Sequence, residues 1–157
     1  MDDKKEIKRI PTTEVMTRLI KSENFQTFYA DNIDTLQLPK LSEYLSELCE
    51  QKEITSYRLF QEVDIDNSAG YKYFSGERRL SRDNALKLAF GLNLDIEETQ
   101  QLLTISKNSR LYPFIPRDAA ILYCLHNKIN YRETQEHLFE WNMTVLGDEK
   151  RYDKPDD

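Results

Sequence analysis

Glycine, cysteine and histidine are scarce in this chain of 157 residues, at four, two and two. So few glycines leave no glycine-rich cradle for phosphate and no Walker loop. Cys124, His126 and His137 stand at spacings that fit no zinc site. No Ser-His-Asp order is present either, so neither an enzyme nor a bound cofactor is expected. Glu43, Glu47 and Glu50 share one helix face, but no histidine accompanies them, and a solvated face is the expectation. Long apolar runs are also missing. Nothing approaches the length of a membrane span, and the opening MDDKKEIKRIPTTEV lacks the apolar stretch of a signal peptide. Both cysteines fall inside apolar helical patterns, so reduced thiols, a cytoplasmic setting and no membrane contact are expected.

Period-two alternation never persists, which leaves strands without a signal. What the chain does carry is 39% hydrophobic and 32% charged residues arranged at helical spacing. Residues 1–12 read as a flexible tail. Val15, Met16, Leu19 and Ile20, followed by Phe25, Phe28 and Tyr29, predict one broken helix or two short ones within an N-terminal extension, 13–40. Leu41, Leu45 and Leu48 predict an amphipathic helix with acids on its far side.

Start and stop signals then recur through a central domain, 41–105. Thr55 caps a helix burying Leu59, Phe60 and Val63. Asp66 or Asn67 caps the next, and Gly76 stops it in the left-handed region. Ser81 caps a fourth helix, with Ala85, Leu88, Ala89 and Leu92 inward. Asp95 with Glu98 forms a capping box for a fifth. A C-terminal extension, 106–147, opens with the proline-bearing loop SKNSRLYPFIP. It holds one helix opened by Pro116 and one opened by an Asn130–Glu133 box, with a flexible tail over 148–157. The fold class is all-α.

Net charge is −6, which argues mildly against indiscriminate nucleic-acid binding. Its distribution is uneven. Residues 41–54 sum to −3 and 93–157 to −4, whereas 55–92 reach +1 with six bases against five acids. Lys72, Arg78, Arg79 and Arg82 sit near the middle of that basic block.

Residues 41–94 resemble, without a gap, the helix-turn-helix domain of the Cro and phage-repressor (XRE) regulators. Leu45, Leu48, Ile54-Thr55, Leu59, Val63, Ile65, Gly76, Ser81, Leu86, Leu88, Ala89 and Leu92 carry the likeness. A narrower likeness, to a bacterial subfamily with extra N- and C-terminal helices, rests on several segments. These are YKYFSGERR over 71–79, Ser81-Arg82-Asp83, Glu98-Thr99-Gln100, Leu111-Tyr112 and Arg117-Asp118-Ala119. The chain departs from the wider class at four positions. Asp64 replaces the turn glycine, and Gly70 replaces a buried aliphatic at roughly 1 kcal/mol of helix propensity. Phe74 replaces a common glutamate, and Ser56 replaces a glutamine.

The resemblance implies a five-helix repressor-like core that binds double-stranded DNA. Its third helix, about 67–75, would enter the major groove. Asn67, Ser68, Ala69 and Lys72 would then face base edges, while Ser56, Arg58, Arg78, Arg79 and Arg82 would meet phosphates. Of Tyr71, Tyr73 and Phe74, at least two are expected to face the core. The flanking helices cover the core or form a partner surface. A homodimer would set two reading helices about one DNA turn apart. The alternative is a protein-interaction module that keeps the fold and binds DNA weakly or not at all.

Overall fold

A computed structural model describes residues 12–148. Apart from Thr12 and Asp148, the tails expected at 1–12 and 148–157 lie outside the described residues. Among the described residues there are nine α-helices and no strand, so the chain is all-α. In order they are α1 (Thr12–Lys21), α2 (Phe25–Asn32), α3 (Leu41–Gln51), α4 (Ser56–Glu62), α5 (Asn67–Ser75), α6 (Arg82–Gly91), α7 (Ile96–Ile105), α8 (Pro116–His126) and α9 (Tyr131–Glu140). No described helix is long and apolar enough to cross a membrane.

Six of the helices, α2, α4 to α7 and α9, begin where a short polar side chain reaches the amide three residues on. Thr55 accepts from the Arg58 N–H, Asp66 from Ala69, Ser81 from Asn84 and Asn130 from Glu133. Asp95 and Glu98 complete a two-way box at α7, whereas α9 is capped by the single Asn130 bond. Each such cap is worth about 1 kcal/mol.

The ends follow one rule. Glu53, Asp64, Asn93, Lys107, Lys128 and Asn142, just beyond α3, α4, α6, α7, α8 and α9, all have φ between 53° and 60°. The next residue then donates its N–H five residues back, as Ile54 does to the Cys49 carbonyl, Ile65 to Phe60 and Leu94 to Ala89. These are Schellman closures, here made with polar residues instead of glycine. The hydrophobic residue that follows five of the six turns back onto the protein. Left-handed geometry costs these side chains roughly 1 kcal/mol each, which the recovered carbonyl bonds offset.

A single hydrophobic cluster runs from Tyr44 to Leu146. Helices α3 to α7 supply most of it, but Leu111, Ile121, Cys124, Leu125, Tyr131, Leu138 and Leu146 belong to the same cluster. Packing therefore shows no break at 105. Cys49 and Cys124 are free and buried, and burial pushes the Cys49 thiol up to about 11 and that of Cys124 in the same direction. By contrast, α1 and α2 stand largely apart from this core. They bury only Phe28 and Asn32, while Met16, Ile20, Phe25, Tyr29 and Ile33 are exposed.

Beside this shared apolar core, the join between the central helices and the C-terminal ones has an ionic part. Arg82-Asp83 opens α6 and Arg117-Asp118 sits in the first turn of α8; the two dipeptides pair reciprocally. Arg82 grips Asp118 with two bonds of 2.9 and 3.1 Å, and Arg117 grips Asp83 with two of 3.0 Å. Both carboxylates are buried. Their remaining lone pairs accept from the Tyr112 and Gly147 N–H groups. The guanidinium groups also reach backbone carbonyls: Arg82 those of Ser109 and Arg110, Arg117 those of Thr144 and Val145. A buried pair this fully bonded is costly to break from one side, because a lone charge stays behind. Arg117→Ala should therefore cost about 3–5 kcal/mol in urea unfolding. Arg58→Ala, which removes an exposed pair with Glu62, should cost less than about 1 kcal/mol.

Candidate nucleic-acid interface

The surface of interest is built by α4, the four-residue turn after it, and α5. Leu59 and Phe60 anchor α4 in the core, and Val63 and Ile65 anchor the turn. Asp64 takes φ 53° there, and its carbonyl accepts a 3.2 Å bond from the Lys87 ammonium. Lys87 is itself buried in α6, so the turn is held from beneath by a charge-assisted bond.

On α5, Gly70 and Tyr73 are buried, and Ala69 and Phe74 are partly buried against the core. The opposite stripe, Ser68, Tyr71, Lys72 and Ser75, is exposed at i, i+3, i+4 and i+7. Asn67 is half-buried, and its side-chain oxygen accepts from Gln61 at 3.4 Å. Among the four residues expected to face base edges, Ser68 and Lys72 thus point outward. Asn67 does so in part, and Ala69 turns inward.

Gly76 ends α5 with φ 83°, and Arg78 and Arg79 follow, both exposed. One Arg79 N–H group donates to the Lys107 carbonyl at 3.0 Å, which fixes the stem and leaves further donors outward. At the start of α4, Ser56 is half-buried, and Arg58 is exposed and paired with Glu62 at 3.2 Å. Arg82 has a different place from the one expected on a phosphate surface. Four bonds from its guanidinium go to Asp118 and two carbonyls, which makes it a fastener between α6 and α8. From Ser56 to Arg79, the bases Arg58, Lys72, Arg78 and Arg79 are matched in number by Glu62, Asp64, Asp66 and Glu77. Any electropositive character is therefore local, centred on Lys72 and the Arg78-Arg79 pair.

Gly70, expected to weaken α5, proves to be the counterpart of Phe60. A Cβ built at Gly70 would lie 2.6 Å from the Phe60 ring. The ring fills the space that a larger residue would take. Tyr71 and Phe74 then pack edge-on against it, each at 5.3 Å between centroids, at 86° and 80°. As expected, two of the three aromatics, Tyr73 and Phe74, turn toward the core; Tyr71 remains 48% exposed.

Two features escaped the sequence reading: the structural role of Arg82 and the outward position of Tyr71. The repeated Arg-Asp dipeptide was the available signal for the first. For the second, the spacing of Tyr71 from Ser68 and Lys72 was visible once Ala69 and Tyr73 were assigned inward. Among the described residues, no three or more His, Cys, Asp or Glu side chains gather as a metal site. Comparison with family models, curated proteins and solved structures finds no match to the chain.

Gly70→Ala alone should destabilise by about 1–3 kcal/mol through overpacking, despite alanine's better helix propensity. Adding Phe60→Leu should recover much of that loss. Urea unfolding of the two single variants and the double variant measures the coupling.

Proposed function

We propose that the chain is a DNA-binding transcriptional regulator, with α3–α7 as a five-helix repressor-like core and α4–turn–α5 as its helix-turn-helix. The observation that carries this reading is the outward stripe of α5. A capped helix, rigidly seated by Phe60 and Tyr73, turns Ser68 and Lys72 to solvent and is followed at once by two exposed arginines. Lys72 has the chemistry to donate to a guanine edge, and Ser68 to either kind of base pair. Arg78 and Arg79, with Ser56 and Arg58 at the head of α4, have the chemistry for phosphate oxygens. Asn67 would read adenine after releasing Gln61. Ala69 and Arg82 have no direct contact in this proposal. A cytoplasmic setting goes with it.

Homodimerisation belongs to the same reading. Met16 and Ile20 of α1, Phe25 and Tyr29 of α2, and Ile33 just after it are exposed, with the Phe25 and Tyr29 rings 5.9 Å apart, and they offer apolar surface for a second copy. Pairing them between two copies would bring two α5 helices onto one duplex. The same face, together with the balanced charge around α5, favours the second reading: an interaction module whose partner is another protein.

Random-sequence duplexes separated by gel shift distinguish the two. On the DNA reading, the protein enriches a pseudo-palindromic motif at physiological salt. Arg78→Ala combined with Arg79→Ala then weakens binding to all sequences alike, and the log–log salt slope becomes shallower by about two. Failure to enrich any motif, with binding lost by 150 mM salt, would favour the protein-interaction reading.

A further inference from the structure

We infer that Tyr71 is a base-reading residue of α5 whose ring meets the 5-methyl group of a thymine in the major groove. This role rests on the DNA reading proposed above. Ser68, Lys72 and Ser75, the other members of the outward stripe, are polar or charged. Tyr71 therefore supplies the stripe's large apolar surface, and it forms one edge of the stripe, a turn beyond Ser68 and on the side that meets Phe60 of α4.

Its ring is also oriented in advance. Phe60 holds it edge-on at 5.3 Å, and Phe60 occupies that position because Gly70 has no side chain to displace it. A tyrosine has only two side-chain torsions to fix, so a buttressed ring presents contact area at little entropic cost. In the major groove the thymine methyl is the apolar mark that separates T from C, and an apolar side chain reads it by contact. A donor such as Lys72 can tell thymine O4 from the cytosine amino group, but the polar members of the stripe present no aromatic surface to the methyl, the group that deoxyuridine lacks.

The test combines site selection with uracil replacement. Wild-type protein and the variants Tyr71→Phe and Tyr71→Ala are each selected on randomised duplexes. Every thymine of the wild-type motif is then replaced singly by deoxyuridine. Losing one methyl contact of about 0.8 kcal/mol corresponds to roughly fourfold weaker binding. Wild type and Tyr71→Phe should show that penalty at one thymine of each half-site. Tyr71→Ala should lose the penalty and accept C there more readily, while its unfolding midpoint falls modestly with loss of the Phe60 edge contact. A merely structural tyrosine would leave the uracil penalty in place. The inference fails alone if Tyr71→Ala selects the same motif with the same penalty. It falls together with the DNA reading if the wild-type protein selects no motif.

Discussion

Two buried Arg–Asp pairs, each joining the first turn of α6 to the first turn of α8, hold the rest of the structure in register. Each arginine bonds its aspartate twice and then reaches two backbone carbonyls. Four charges thereby immobilise the 106–115 loop and the segment 144–147 as well as the two helices. Desolvating such groups is expensive, and only near-complete hydrogen bonding makes it tolerable. The consequence reaches α5 indirectly. Helix α6, tied at its start to α8, carries Lys87, whose ammonium holds the Asp64 carbonyl in the turn between α4 and α5. The C-terminal helices are thus part of the scaffold that orients the proposed reading helix.

Scarcity of glycine has a structural counterpart. Six helices close with a left-handed Glu, Asp, Asn or Lys, at a local cost that glycine would have avoided. Gly76 does take that role at the end of α5, but two of the four glycines serve close packing. Gly70 admits the Phe60 ring, and Gly91 leaves room for Leu59 and Val63, which a Cβ would approach within 2.5 and 2.7 Å. At Gly70, an unfavourable helix residue is exchanged for a large aromatic on the facing helix. That trade places Phe60 where it supports Tyr71 and Phe74.

Much of the fold was legible in the sequence because helix starts are local. Thr55, Asp66, Ser81, Asp95 and Asn130 each act on an amide three residues away, so the cap and its consequence lie within one window. Periodicity likewise identified Leu45, Leu48, Leu59, Leu88 and Leu92 as core. The parts that were not legible depend on distant partners. Arg82 looks like a phosphate contact until Asp118, 36 residues on, is brought beside it. Gly70 looks like a defect until Phe60 is seen above it. Beyond the proline-bearing loop, Ile121, Leu125 and Leu138 join the same core, but which of their neighbours they meet is likewise a matter of distant partners. For the proposed site, the exposure of Ser68 and Lys72 follows from helix phase, and that of Arg78 and Arg79 from their place in the link between α5 and α6. The inward turn of Ala69 and the outward turn of Tyr71 required the packing of α5 on its neighbours.

The most direct test of the DNA reading is an amide-resolved NMR titration of the full chain with a mixed-sequence duplex at low salt. The account predicts that the largest shift changes fall on Ser56, on Ser68 to Lys72, and on Arg78 and Arg79, while the amides around Arg82 and Asp118 stay put. Changes confined to α1 and α2, or none at duplex concentrations well above that of the protein, would contradict it.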